Sequence, residues 1–83
     1  MSRYRIQYAN PAEAARRAMR PEFRAAFEQA MTKTLGTDPY GHGSAAIKGD
    51  RDYREVTVGG VFVVYYVSPA PDALVVTALR LMH

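Results

Sequence analysis

Apolar and polar residues alternate at the start of the chain, with Tyr4, Ile6 and Tyr8 set against Arg3, Arg5 and Gln7. That period of two predicts a half-buried strand with a basic outer face. Asn10-Pro11-Ala12-Glu13 then reads as a helix start, with Asn10 as the cap, Pro11 at the first helical position and Glu13 closing a capping box. The helix runs through Ala14, Ala15, Ala18 and Met19 and stops before Pro21, which restricts Arg20. Pro21-Glu22 opens a second helix. Its Phe23, Phe27, Ala30, Met31, Thr34 and Leu35 fall at helical spacing, and Gly36 is a natural stop. The two stripes predict a helical hairpin laid on one face of a sheet, with the phenylalanine and methionine side chains in the core.

The pattern changes after Thr37. Thr37 to Ser44 is a loop by composition, Ala45 to Lys48 can start a strand, and Gly49 to Asp52 reads as a turn. Tyr53 to Val58 is a strand with Arg54, Val56 and Val58 on one side and Tyr53, Glu55 and Thr57 on the other. Gly59-Gly60 is a tight hairpin turn into Val61–Val67, the most apolar and hence central strand. A turn over Ser68 to Asp72 leads to a last strand, Ala73 to Leu79. The expected fold class is α+β, in the order β-α-α-β-β-β: an N-terminal strand, a helical hairpin and a three-stranded antiparallel meander. The first strand then pairs at an edge or beside the last.

Both faces of that sheet are apolar. Val61, Val63, Tyr65 and Val67 line one side of the central strand, and Phe62, Val64 and Tyr66 the other. In the last strand, Leu74, Val76 and Ala78 oppose Val75, Leu79 and Leu81. One helical layer covers one face, so a surface is left over. Either another chain covers Phe62, Val64 and Tyr66, as a heterologous partner or a homodimer, or sheet twist and the 37–44 loop do so.

Length confines all this to a single domain over residues 1–83, a size that buries only ~60–65% of its unfolded surface. With no cysteine, disulfides and thiolate metal sites are excluded. No cofactor motif and no metal-ligand spacing is present. No apolar run approaches the ~20 residues of a membrane span, and the start lacks the apolar core of a signal peptide, so a cytoplasmic protein without membrane contact is expected. The net charge is +3, and nine of the eleven basic residues are arginines. Arginine's planar fork pairs with phosphate or carboxylate, which points to nucleic acid or an acidic protein. A genome that favours arginine codons accounts for the same bias equally well.

There is no P-loop, dinucleotide fingerprint, zinc-protease motif or nucleophile elbow. One constellation could cleave RNA through its 2′-hydroxyl, which needs a proton acceptor, a proton donor and a cation facing the phosphate. Lys48, Arg51, Arg54 and Arg80 are the candidate phosphate-binding cations, and Arg54, Glu55, Arg80 and His83 the candidate catalytic set, on strands expected to be neighbours. Arg54 and Glu55 point to opposite faces of a regular strand. The alternative is that both make ordinary surface pairs, worth under ~1 kcal/mol.

The stretch "IKGDRDYREVTVGGVFVVYYVS…LVVTALR" resembles the RelE/ParE superfamily of bacterial toxin–antitoxin toxins. The resemblance spans nearly the whole chain, from the Tyr4-Arg5-Ile6 strand and helical hairpin onward. Ile47-Lys48-Gly49 looks like the family's Leu-x-Gly lead-in and Val63-Val64-Tyr65 like its Val-Val-Tyr strand, while Arg80 falls where a last-strand arginine is usual. The resemblance implies a toxin neutralised by a small cognate antitoxin. It implies either a metal-independent, ribosome-dependent mRNA endoribonuclease that inhibits translation or an inhibitor of DNA gyrase, since both share the fold, and a non-catalytic, dimeric interaction module of the same fold is the third reading. Lys48, Arg54 and Arg80 carry over as phosphate-facing cations, and His83 as an acid or base used by some relatives. Two features depart from the nuclease pattern: Phe62 stands where an arginine is usual, and the basic, aromatic tail is reduced to Leu81-Met82-His83.

Overall fold

The computed structural model describes residues 3–68 and 74–83. The elements are β1 (Arg5–Tyr8), α1 (Asn10–Arg17), α2 (Pro21–Thr34), β2 (Ala45–Ile47), β3 (Asp50–Val58), β4 (Val61–Val67) and β5 (Val75–Met82). They form one five-stranded sheet in the order β1-β5-β4-β3-β2. All neighbours are antiparallel except β1, which runs parallel to β5 with Arg5 opposite Val75 and Tyr8 opposite Ala78. The expected order holds, with the short β2 added to the meander. The first strand is both an edge strand and the neighbour of the last.

Gly59 and Gly60 both take positive φ, the backbone that a two-residue hairpin turn needs to match strand twist. Lys48 and Gly49 do the same between β2 and β3. Lys48, a non-glycine residue at φ 53°, bears a cost of about 1 kcal/mol and stands exposed at the hairpin tip. This turn is where the sequence reading is corrected. Gly49 to Asp52 is not a turn, because the Lys48-Gly49 turn lets β3 begin at Asp50.

Val61, Val63, Tyr65 and Val67 are fully buried against Phe27, Met31 and Leu35 of the second helical segment and against Ala12 and Met19. Each such valine contributes on the order of 1.5 kcal/mol or more by leaving water. Val56 and Val58 from β3 and Val76, Ala78 and Leu81 from β5 complete this inner face. Leu81 corrects the expected alternation. The register shifts between Val64 and Tyr65, with Val64 opposite Arg80 but Tyr65 opposite Ala78, so Leu79 is the extra residue of a bulge. Beyond the bulge every side chain changes face, which turns Leu81 inward, and β5 continues to Met82 instead of ending at Leu79. The expected turn over Ser68 to Asp72 and the strand start at Ala73 fall largely outside the described residues.

α2 starts on Pro21 as expected, but α1 starts on Asn10, which puts Pro11 at its second position, and the cap moves with it. Ala9, not Asn10, is the N-cap of α1; no side chain caps it, and the Glu13 amide donates to the Ala9 carbonyl at 2.8 Å. Glu13 instead accepts from Arg16 and Arg17, and Arg16 also donates to Glu28 of α2, tying the hairpin together. Those bonds, chiefly from Arg16, hold the Glu13 carboxyl below its ordinary pKa.

Candidate nucleic-acid interface

The face of the sheet away from the helices is a grid set by the strand register. One row reads Tyr53, Tyr66, Thr77 and Gln7 across β3, β4, β5 and β1. The next reads Ala45, Glu55, Val64 and Arg80, and a third Thr57, Phe62 and Met82. The Gln7 side-chain amide donates to the Thr77 hydroxyl at 2.8 Å, which fixes one end of the first row. Phe62 and Val64 are half-buried, while Tyr66 and Met82 are 38% and 45% exposed. The leftover apolar surface expected from the sequence is therefore present, and the 37–44 loop packs on the other face.

Arg80 is exposed on this outer face and Glu55 is half-buried two strands away. Val64 lies between them, so their backbones are about 9.6 Å apart at two strand spacings. The strands carrying them are thus not the neighbours that the sequence had led us to expect, because β4 separates β3 from β5.

Arg54 lies on the inner face and is only 9% exposed. Its Nε and Nη2 donate to the Ser44 hydroxyl at 3.2 and 3.0 Å, Nη1 to the Arg51 carbonyl at 3.0 Å, and Nη2 to the Tyr40 and Ser44 carbonyls at 3.2 Å. Beside it the Tyr65 hydroxyl donates to the Pro39 carbonyl. Arg54 and Tyr65 together staple the 37–44 loop over the end of the core, and satisfied donors of this kind are costly to remove. Arg54 is therefore a scaffold arginine in this arrangement and does not face solvent as a phosphate-binding cation would.

Arg51 is exposed, with its guanidinium 4.5 Å from the centre of the Tyr40 ring; that of Arg54 lies 5.5 Å from it. The Tyr40 hydroxyl donates to Asp52 at 2.8 Å, and burial together with that bond pushes the phenol up to about 12. Burial raises the Tyr65 phenol as well.

His83 is set apart from the others. It follows exposed Met82, so strand alternation turns it to the helix side, where its ring stacks on Phe23 of α2 at 5.5 Å between centres. The proposed set therefore divides in three: Glu55 and Arg80 share the outer face, Arg54 is internal, and His83 lies on the helix side. The sequence reading left out the Tyr53–Tyr66–Thr77–Gln7 row, although the alternation of Tyr53 with Arg54 and of Tyr66 with Tyr65 was the signal for it. Among the described residues no cluster of histidine and acidic side chains could hold a metal. Among the described residues no helix is long and apolar enough to cross a membrane.

No family model and no curated protein matches the sequence. Solved structures do match the fold. The toxin–antitoxin complex RelBE2 from Mycobacterium tuberculosis superposes with a TM-score of 0.76 at 16% identity, over 96% of both chains. An archaeal RelE–RelB complex from Pyrococcus horikoshii gives 0.68 at 18% identity, over 96% of this chain and 93% of the other. A mutant of the E. coli toxin RelE in the free state gives 0.71 at 17% identity, over 99% of this chain and 83% of the other. The chain has the RelE fold.

Proposed function

We propose that this chain is the toxin of a toxin–antitoxin pair, and that it arrests translation by cutting mRNA on the ribosome with the outer face of its sheet. The observation that carries the reading is the pairing, on one open face, of an exposed arginine and a carboxylate with a row of tyrosines. Tyrosine rings give bases a stacking surface, as on other sheets that bind single strands. Arg80 balances the charge that develops on the scissile phosphate. Glu55 takes the proton of the ribose 2′-hydroxyl as its oxygen bonds to phosphorus; the bond to the 5′ oxygen breaks, and that oxygen is protonated from water. The products are a 2′,3′-cyclic phosphate and a 5′-hydroxyl. Lys48 and Arg51 extend the basic path along the backbone. A cognate antitoxin that covers Phe62, Val64 and Tyr66 hides the same face, so neutralisation and catalysis compete for one surface. This chemistry belongs in the cytoplasm.

Phe62 favours a second reading. An apolar residue where an arginine is usual suits a toxin that binds its target without cutting RNA, with DNA gyrase as that target. Induced expression in growing bacteria, with mRNA ends mapped within minutes, separates the two. Cuts in step with codons, lost in Arg80→Ala while the protein stays folded, are the expected result. Growth arrest with intact mRNA and a DNA-damage response would move the function to gyrase. A fully toxic Arg80→Ala would sink the assigned role of Arg80.

A further inference from the structure

The outer face of the sheet is arranged evenly about β4. In one row, Glu55 lies one strand to one side of Val64 and Arg80 one strand to the other. Neither forms an ion pair among the described residues, where the ion pairs join Arg16 and Arg17 to Glu13 and Glu28. Between them runs the apolar line of β4, with Phe62 and Val64 half-buried and Tyr66 exposed, and exposed Met82 lies beside Phe62. An acid and a cation at equal distances from an apolar centre make a self-complementary pattern, which is what an isologous interface requires.

Two copies can stack these faces about a two-fold axis that lies between them in one of two directions. With the axis across the strands, Glu55 falls over Glu55 and Arg80 over Arg80, and like charges repel. With the axis along β4, the row reverses onto itself. Glu55 of each copy then lies over Arg80 of the other, and Phe62, Val64 and Tyr66 meet the same residues of the second copy. Packed sheets lie about 10 Å apart, a gap that a glutamate and an arginine reaching from opposite sides can bridge. The charges therefore select one of the two directions.

We infer that the chain pairs with a second copy of itself through this face, about a two-fold axis along β4, and that the pairing closes the face to other occupants. The five strands cover roughly 500 Å², at ~3.3 Å per residue and ~4.8 Å between strands, so the pair buries about 1,000 Å². That is the lower edge of a specific interface, and the net charge of +3 on each chain opposes association. The dimer is therefore weak, with a dissociation constant of about 10–100 µM. In the proposed toxin it is a resting form, because RNA or an antitoxin reaches Tyr66 and Arg80 only when the copies separate. Self-association itself does not depend on the toxin reading.

Sedimentation velocity of the whole chain at about 1 to 500 µM is the test, since it reads mass and not toxicity. The mass should rise from monomer to dimer across that range. Glu55→Arg and Arg80→Glu each set like charges opposite one another at both contacts, and each should weaken dimerisation at least about tenfold. An equimolar mixture of those two variants should dimerise at least as well as the parent, because every contact in the mixed pair again joins opposite charges. Lys33→Glu makes an equal change of charge on exposed α2 surface across the sheet and should leave dimerisation within about twofold. Far-ultraviolet circular dichroism checks that each variant is folded. If one unfolds, salt replaces it: raising sodium chloride from about 0.05 to about 0.5 M should weaken the parent dimer at least about threefold. A parent chain still monomeric at about 500 µM would overturn the proposal. So would dimers untouched by Glu55→Arg and Arg80→Glu, a mixture that stays monomeric, or a parent dimer that salt strengthens.

Discussion

Arg54 and Arg80 sit on strands that flank the same neighbour, β4, yet one is closed in and the other is open. Arg54 faces the helices and holds Ser44, Tyr40 and Arg51 through five hydrogen bonds. Arg80 faces away and its guanidinium has no side-chain partner among the described residues. Tyr65 and Tyr66 repeat the contrast on β4, the first buried and bonded to Pro39, the second more than a third exposed. Residue type therefore says little about role in this sheet. The face decides whether a polar side chain serves the fold or is left free to meet something else.

The contrast breaks most visibly at Arg54. Arg54→Ala strips the Tyr40, Ser44 and Arg51 carbonyls of their donor in a buried place and should cost about 3 kcal/mol. Thermal melts should then shift down by roughly 15 °C for a chain of this size. A loss below about 1 kcal/mol would mean that the loop is held by other contacts. Next come adjacent valines. Val63→Ala on the inner face should cost about 2 kcal/mol and Val64→Ala on the outer face about half that, read from urea midpoints. Equal costs would show that the outer face is covered in solution.

A smaller effect belongs to the phenols. Tyr8 and Tyr40 are both raised to about 12, the first mainly by burial and then by the Glu28 carboxylate, with the Arg16 guanidinium over its ring opposing the rise, the second by burial and Asp52. A folded-state pKa above the unfolded value of about 10 contributes stability that is full below pH 10. That stability is lost as pH rises through the folded value. The melting temperature should fall between about pH 10 and 12, and Tyr40→Phe should flatten part of that slope. The smallest stability change is expected at Arg80. Arg80→Ala should stay within about 0.5 kcal/mol of the parent in urea melts, so that any loss of function in this variant reports on the outer face and not on unfolding.

Much of this was legible in the sequence. Strict alternation in Val61–Val67 and the Phe27–Met31 stripe place the inner face and the helix that covers it. The paired glycines after Val58 set the hairpin register. What escaped was decided by single residues. A bulge at Leu79 has no composition signal, and one extra residue is enough to move Leu81 from one face to the other. Asn10 has the chemistry of a cap, but the chain enters the helix one residue earlier, so Ala9 takes that position. For Arg54 the signal existed, since its alternation with Val56 and Val58 assigns it to the buried side. An arginine on an apolar face reads as a cation awaiting a ligand until the loop that satisfies it is seen. The stacking of His83 on Phe23 could not be read at all, because it depends on where the end of β5 meets the start of α2.

The parallel pairing of β1 with β5 makes one edge of the sheet depend on a strand far along the chain. Gln7 and Thr77, bonded side by side, are 70 positions apart in a chain of 83. β5 is the last of the described strands in chain order, and it is the piece that joins β1 to the rest of the sheet. Until it arrives, β1 has no strand to lie against and the Tyr53–Tyr66 row lacks its other half. Long-range pairing of this kind is slow to form. The outer face is therefore complete only once β5 has paired, and Arg80, carried on that same strand, joins Glu55 and Val64 at that step.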